Sequence, residues 1–315
     1  MIRLIINDII HKNKEVMKIK LAVISDIHGN IVALNQIIKD AKERNVEVFV
    51  ASGDLVNELP FGNEVIDKLK EINALSIKGN KEQYFIDYDE NKYDWPNIQF
   101  QNSVFMYEKM TDENMEYIKK LPFSLSLEYE GIKIKFVHGS PESITELIYR
   151  KDEDLIEKYT KNLEEDILVL GHTHEPIWTC VKNNKTVINA GCAGVSPTNI
   201  GFAEYVIINI ENGKYEIETL KVPFDVEEIK IGILESGILE IDIAFINLTY
   251  ETLIGNVKVK EEFFQEAKRK MIENGRSLKK ANVKGIYETF KLYDDDIWIS
   301  LTDKYKSEFK LRLEE

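Results

Sequence analysis

Cysteine and proline are scarce in this chain of 315 residues, and positive charge is outnumbered by negative. The two cysteines, Cys180 and Cys192, are too few for a disulfide scaffold and form no Cys-x-x-Cys pair, which reads as a protein of a reducing cytoplasm. Lys+Arg number 41 against 55 Asp+Glu, a formal charge of −14. A polymeric nucleic acid would be repelled by most of such a surface, so the composition argues against a general DNA-binding module; a small anion remains open if bound metal supplies positive charge. No stretch approaches the ~18 apolar residues of a membrane span. The first residues hold only short apolar pieces, Ile2–Ile6 and Ile9–Ile10, interrupted or followed by Asn7, Asp8, Lys12 and Lys14, with no small-residue cleavage site. That is not a signal peptide, and residues 1–17 read as an extension ahead of the fold.

What is present is an ordinary globular composition, 43% hydrophobic and 30% charged. The length suggests about two units at ~150 residues each. Lys20–Ser25 is a nearly continuous apolar run, the pattern of a strand covered on both faces. Ile31, Leu34, Ile37, Ile38 and Ala41 then recur at helical spacing. Val46–Ala51 reads as a second strand, Val65, Ile66, Leu69 and Ile72 as a second helix, and Ala74–Ile77 as a third strand. Strand–helix–strand–helix–strand with short connections implies parallel βαβ units, whose sites form past the carboxyl ends of the strands.

Residues 81–122 break this rhythm with aromatic and acidic residues, among them Tyr84, Phe85, Tyr88, Tyr93, Trp95, Phe100, Phe105 and Tyr107. They read as a cap-like insert beside the site, its aromatics serving packing more than ligand stacking. Thr111 caps a helix that presents Met115 and Ile118, with Pro122 beyond its end. From Leu125 the period changes to two, with Glu130-Gly131 as a hairpin turn. A helix near Leu155–Leu163 and strands at Ile167–Leu170, Trp178–Val181, Thr186–Asn189, Tyr205–Ile210 and Tyr215–Leu220 complete a mixed two-sheet sandwich flanked by helices. Residues 224–315 form a C-terminal extension. Its clearest element is a helix over Glu261–Glu273 with Phe263, Phe264, Ala267 and Met271 on one face, ended by Asn274-Gly275. Such a stripe is expected to dock on the core or on another copy of the chain, which makes a homo-oligomer one expectation. The basic stretch Lys258–Lys284 reads as a solvated face before an anionic partner site.

The chemistry lies at the strand ends. Asp26-x-His28, Gly53-Asp54, Gly79-Asn80 and His138 are each weak signals alone; Asn80, for example, suits a left-handed turn equally well. Gly171-His172-Thr173-His174 is stronger, because two imidazoles at this spacing suit one metal. Four of the five histidines fall at strand ends, and only His11 does not. Oxygen and nitrogen ligands without thiolate favour manganese, iron, nickel or zinc. The ligands outnumber what one tetrahedral ion needs, which points to two.

These motifs, in this order, resemble the calcineurin-like metallophosphoesterases over roughly Lys18–Val222, and Asp26-Ile27-His28-Gly29-Asn30 with Leu121-Pro122 looks like the small bacterial phosphodiesterase branch. The resemblance implies a four-layer α/β/β/α sandwich with mixed sheets over residues 18–223. It implies two divalent transition ions, manganese first: one held by Asp26, His28 and His174, the other by Asn80, His138 and His172, with Asp54 bridging. Asp54 and Asn80 take catalytic roles in this pattern, and Asn30 and Lys81 are candidate substrate contacts. Asn189-Ala190-Gly191-Cys192 is similar to the family's Asn-Pro-Gly-Ser turn and places Cys192 near the site as a buried structural thiol. Lys81 departs from the pattern, standing where many members carry a histidine, and is either a phosphate contact or a solvated side chain. The expected activity is two-metal hydrolysis of a phosphodiester, nucleotide or small phosphomonoester. The alternatives are a dinucleoside polyphosphate hydrolase, or a non-catalytic scaffold like the retromer subunit of this fold.

Overall fold

A computed structural model describes residues 18–90, 98–241, 243–276, 279–283 and 287–311. The amino-terminal extension with His11, and Tyr93 and Trp95 of the insert, lie outside the described residues. In chain order the elements are β1 (Lys18–Ile24), α1 (Ile31–Glu43), β2 (Val48–Ser52), α2 (Gly62–Glu71) and β3 (Leu75–Ile77). Then come α3 (Asn80–Asp89), α4 (Gln101–Glu108) and α5 (Asp112–Lys119). The second half holds β4 (Ser124–Tyr129), β5 (Ile132–Val137), α6 (Glu153–Lys161), β6 (Ile167–Leu170), β7 (Trp178–Lys182), β8 (Lys185–Asn189), β9 (Phe202–Glu211) and β10 (Lys214–Pro223). The extension contributes α7 (Val226–Ser236), α8 (Ile243–Leu253), α9 (Val257–Glu273), β11 (Lys279–Val283), β12 (Tyr287–Leu292) and α10 (Asp295–Tyr305).

Two five-stranded sheets result, ordered β10-β9-β1-β2-β3 and β4-β5-β6-β8-β7. In the first, β1, β2 and β3 run parallel while β9 pairs antiparallel with β1. In the second, β5, β6 and β8 are parallel between antiparallel edges. The strand period of two explains the layering. Leu21 and Val23 face inward with Val50, Val206 and Ile208 against Ile134, Phe136, Ile167 and Val169 of the second sheet. Ala22 and Ile24 point the other way, into the cluster holding Leu34, Ile37, Val65 and Leu69 of α1 and α2. Likewise Leu168 and Leu170 turn outward onto Ile156 and Tyr159 of α6. Alternation on both sheets thus yields the four-layer α/β/β/α sandwich.

Local signals act as the sequence implies. Glu130 and Gly131 both have positive φ, 48° and 81°, the conformation a two-residue hairpin turn demands. Thr111 Oγ1 accepts the Asn114 N–H at 3.2 Å to cap α5. The insert's Tyr84 and Phe85 are buried in the main core beside Met115 and Ile118. Backbone N–H groups of Ile98 and Tyr293 bond Asp295 Oδ1 (3.0 Å) and Gln99 Oε1 (2.9 Å), tying insert to extension.

The extension differs from expectation in how it docks. The helix with the Phe263 stripe exists as α9, but Phe263, Ala267 and Met271 pack with Ala244, Leu248, Trp298, Leu301 and Tyr305 of α8 and α10, a core internal to the extension. Docking on the main core falls to α7 and α8. Their Ile229, Ile233, Ile246, Tyr250 and Leu253 join Leu55, Val56 and Leu59, which follow Asp54. Phe263, Ala267 and Met271 of the stripe are therefore covered mainly by helices of their own extension, with Ile98 of the insert packed beside them, in place of the expected docking on the main core.

Candidate metal centre

The strand-end loops are tied to one another before any side chain is considered. Asp26 N–H bonds Gly53 O (3.1 Å), His28 N–H bonds Asp54 O (2.8 Å), Gly171 N–H bonds His138 O (2.8 Å) and Gly194 N–H bonds Asp26 O (2.9 Å). These cross-links bring segments from both sheets to one place. Asp26, His28, Asp54, His172 and His174 all adopt left-handed φ, between 51° and 67°, which turns each side chain back toward the centre. Two glycines make the closeness possible. A Cβ on Gly79 would sit 2.2 Å from Asp54 Oδ1, and one on Gly171 would sit 2.1 Å from Ser25 Oγ.

Two triads form. Asp26, His28 and His174 make one, and Asp54, His138 and His172 the other, each with ligand atoms mutually within 4.8 Å. In the first, His28 Nε2 and His174 Nε2 face each other at 2.8 Å, and Asp26 Oδ1 stands 3.7 and 3.2 Å from them. Asp26 Oδ1 is buried without a hydrogen-bond donor. Two ring nitrogens and an orphaned carboxylate oxygen aimed at one point are a poor hydrogen-bond arrangement and a good set of ligands for a divalent ion. The outer ring atoms fix the tautomers. His138 Nδ1 bonds Ser52 O (3.0 Å) and His174 Nδ1 bonds Val195 O (3.2 Å); carbonyls only accept, so each Nδ1 carries a proton. Nε2 is thereby left as the ligand atom.

Asp54 spans both triads. Its Oδ2 is 3.8 Å from His28 Nε2 and its Oδ1 3.3 Å from His138 Nε2. Asn80 Oδ1 lies 3.1 Å from the same His138 nitrogen, and its Nδ2 donates to Tyr84 Oη at 3.1 Å. Asn80 opens α3 and is not a left-handed turn residue, so the alternative reading of that position does not hold.

Electrostatics follow from burying carboxylates and imidazoles together. Burial alone would raise Asp26, but His174 and His28 outweigh it and hold the carboxyl well below its ordinary range. Asp54 is depressed in the same way, burial being overcome by His138 and His28. Burial would lower His138, yet Asp54 raises it to about 9. His174 is also raised against burial, by Cys192 and Asp26. Burial and the charge of His138 push His172 down to about 4, and burial lowers His28.

Asn30 and Lys81 lie differently from expectation, whereas Cys192 is the buried thiol beside the site that was expected. Asn30 is fully buried, its Oδ1 accepting Ala33 N–H (2.9 Å) and its Nδ2 donating to Gly194 O (2.8 Å). The oxygen caps α1 and the nitrogen ties that cap to the Gly194 loop, so the expectation of a substrate contact is corrected to a scaffold role. Lys81 is not solvated: its ammonium pairs with Glu58 Oε1 at 2.7 Å, both side chains largely buried. Cys192 is fully buried and directs its thiol at Asp26 O (3.5 Å), away from open space.

Glu82 escaped the sequence reading. Its Oε2 accepts the N–H groups of Gly79 (2.6 Å) and Asp54 (2.9 Å), and its Oε1 those of Leu55 (2.7 Å) and Val56 (3.1 Å). One carboxylate thus holds the whole Asp54 loop. Burial and the Asp54 charge push it up to about 7, with the N–H donors pulling the other way. A glutamate at the third position of a helix, behind Gly79, was the available signal.

Comparison with known proteins agrees with this geometry. The chain is 28% identical over 233 residues to an uncharacterized protein of Methanocaldococcus jannaschii, covering 67% of this chain and 90% of that protein. A metallophosphoesterase from Sphaerobacter thermophilus superposes with a TM-score of 0.60 at 19% identity, covering 74% of this chain and 100% of the other. A hypothetical protein from Pyrococcus horikoshii superposes with a TM-score of 0.64 at 21% identity, covering 74% and 98%. At these identities the two structures establish the fold. The family itself follows from a sequence model of the calcineurin-like phosphoesterase superfamily domain, which matches residues 19–213 and so takes in Asp26, Asp54, Asn80 and the four clustered histidines. The chain belongs to the calcineurin-like phosphoesterase superfamily.

Proposed function

We propose that this protein is a two-metal phosphoesterase acting on a small phosphorylated substrate, with residues 18–223 as the hydrolytic unit and residues 224–315 as an extension closing against it. The observation that carries the reading is Asp54, whose two oxygens each face a different histidine triad. In the proposed assignment Asp26, His28 and His174 hold one ion, Asn80, His138 and His172 the other, and Asp54 both. Two divalent ions, manganese first among them, would supply Lewis acidity, a nucleophile at neutral pH and a clamp for developing charge.

The chain's own residues do the rest. The Nδ1–H bonds of His138 and His174 aim both Nε2 atoms inward. Glu82 fixes the Asp54 loop through four backbone donors. Asn80 turns its oxygen to the second triad as a ligand, while its Nδ2 donates to Tyr84 Oη and so fixes the amide's orientation. Burial of Asp26, His28, Asp54 and His138 excludes bulk water and strengthens each of these charges.

Elemental analysis and hydrolysis of aryl phosphate mono- and diesters test the reading together. The purified chain should take up two transition ions, and Asp54→Ala should be the most damaging single ligand change because it removes a contact to both. Trace metal only after reconstitution with manganese, or near-normal turnover in Asp54→Ala, would refute it and favour a scaffold of the same fold.

A further inference from the structure

Ser25, which directly precedes Asp26, is outside the candidate ligand set, yet its fully buried hydroxyl touches that set. Ser25 Oγ donates to Asp26 Oδ2 at 2.6 Å, the length of a hydrogen bond to a charged carboxylate. Its other acceptor within reach, Ser52 O, is 3.4 Å away and already takes the His138 Nδ1–H. The backbone N–H of His172 also donates to Asp26 Oδ2, at 3.0 Å. Both lone pairs of that oxygen are thereby engaged. Oδ1 is the opposite case. Among the described residues it receives no hydrogen bond, and it faces His174 Nε2 and His28 Nε2 at 3.2 and 3.7 Å. One carboxylate thus has a spent oxygen and an open one, and the open one points into the first triad.

The place of Ser25 is itself constrained. Its backbone oxygen accepts the Ala193 N–H at 3.0 Å, which ties the end of β1 to the loop between β8 and β9. Its hydroxyl fills the space where residue 171 would carry a side chain: a Cβ on Gly171 would lie 2.1 Å from Ser25 Oγ and 2.9 Å from Asp26 Oδ2. The glycine ahead of His172 therefore leaves room for the serine–aspartate bond. We propose that Ser25 is a positioning residue of the metal centre: by occupying Asp26 Oδ2, its hydroxyl makes Asp26 a one-oxygen ligand that presents Oδ1 to the ion of the first triad. This rests on the two-metal reading and deepens it, because retention of the first ion then depends on a side chain that is not itself a ligand. A carboxyl free to turn about its last bond must be ordered when the ion binds, whereas one already held by two donors has met that cost in folding. Partners that orient a ligand from outside the ligand set are typically worth 10–100-fold in metal affinity. The backbone bonds among the strand-end loops do not pass through Ser25 Oγ, so the second triad keeps its geometry when the hydroxyl is lost.

The test measures manganese binding to the full chain by calorimetry, for wild type, Ser25→Ala, Ser25→Thr and Asp26→Ala. Asp26→Ala deletes the ligand and so marks which of the two binding steps belongs to the first triad. Ser25→Ala should weaken that step roughly 10–100-fold. The other step should stay within about threefold, the ordinary scatter between sites that share no altered contact. Ser25→Thr keeps the hydroxyl and should restore most of the loss. Equal weakening of both steps, no weakening of either, or equal losses in Ser25→Ala and Ser25→Thr would overturn the positioning role. A wild type that takes up fewer than two ions, or an Asp26→Ala variant that keeps both steps, would overturn the two-metal reading and the role of Ser25 with it. If Ser25→Ala fails to fold, Ser25→Cys decides in its place, because a thiol is a weak donor. Loss confined to the first step then supports the role, and unchanged binding overturns it.

Discussion

Replacing Glu82 by glutamine changes no more than one oxygen for an amide nitrogen, and the structure fixes what that must do. Each carboxylate oxygen accepts two backbone N–H groups, Oε1 from Leu55 and Val56, Oε2 from Asp54 and Gly79. A glutamine can satisfy only one of these pairs, whichever way its amide is turned. The other pair faces an NH2 group, donor against donor, in a fully buried position. Each orphaned donor costs ~1–3 kcal/mol, so Glu82→Gln should lose roughly 2–6 kcal/mol. For a unit of ~200 residues that is a fall in Tm on the order of 5–20 °C. Either orientation frees part of the Asp54 loop, through Asp54 and Gly79 or through Leu55 and Val56, so metal affinity should fall in the same variant. Urea unfolding gives the stability, and competition with a chromogenic chelator gives the affinity. A loss below ~1 kcal/mol with unchanged metal affinity would show that the carboxylate does not hold the loop, and the positioning argument would fail.

The remaining predictions concern protons, the leaving group and the extension. In the metal-free protein His138, raised to about 9, and His174, raised well above the ordinary value, are protonated at pH 7, whereas His172 at about 4 and the lowered His28 are neutral. Metal uptake at pH 7 should thus expel about two imidazole protons per chain, and affinity should climb toward pH 9; calorimetry in buffers of different ionisation enthalpy checks both, and a count below one refutes the assignment. The same raised pKa means that the stability contributed by His138 in the metal-free state is fully present below pH ~6.5 and disappears as pH rises through about 9. Burial would lower Lys81, but Glu58 outweighs it and raises the group above the ordinary lysine range, leaving a poor proton donor. Rate should therefore fall steeply as leaving-group pKa rises, on the scale of the ~10²–10⁴-fold that general acid catalysis supplies, and a flat dependence with chemistry rate-limiting would show that another residue donates. Truncation after Pro223 removes the cover provided by Ile229, Ile233, Ile246, Tyr250 and Leu253, each worth roughly 1.5–3 kcal/mol when buried. The shortened chain should aggregate and melt lower; an unchanged melting temperature would show the extension to be dispensable.

Much of the sandwich was legible because its signals are local. The short apolar runs of β1 and β6, the helical spacing in α1 and α2, the Glu130-Gly131 turn and the Thr111 cap each depend on a few adjacent residues. The clustering of four histidines with Asp26 and Asp54 was legible for another reason: scarce histidines fell after apolar runs, where strands end. Illegible were the contacts that join distant segments. Thr249 and Glu58 lie 191 residues apart in the chain, and no spacing rule connects them. Asn30 was misread because a motif names a residue type without saying which way its amide is spent; here helix capping and Gly194 claim both ends. The stripe on α9 was seen correctly as a buried face, but periodicity identifies a face and not its partner.

The backbone at the centre shows why so much surrounding structure is needed. Five of the seven candidate ligands, Asp26, His28, Asp54, His172 and His174, hold left-handed φ values that cost a non-glycine residue roughly 1–2 kcal/mol each. Local sequence would not choose these conformations, so tertiary contacts impose them: the backbone bonds from Asp26 to Gly53 and from His28 to Asp54, the Glu82 carboxylate, and the close approach at Gly79 and Gly171. Each bond crosses from one strand-end loop to another, which means that the ligands are positioned as a group and not one by one. A substitution that frees a single loop, such as Gly79→Ala beside Asp54 Oδ1, should then loosen the geometry around both triads at once. Binding of two ions to that variant should weaken together, and loss of one ion with full retention of the other would show that the triads are held independently.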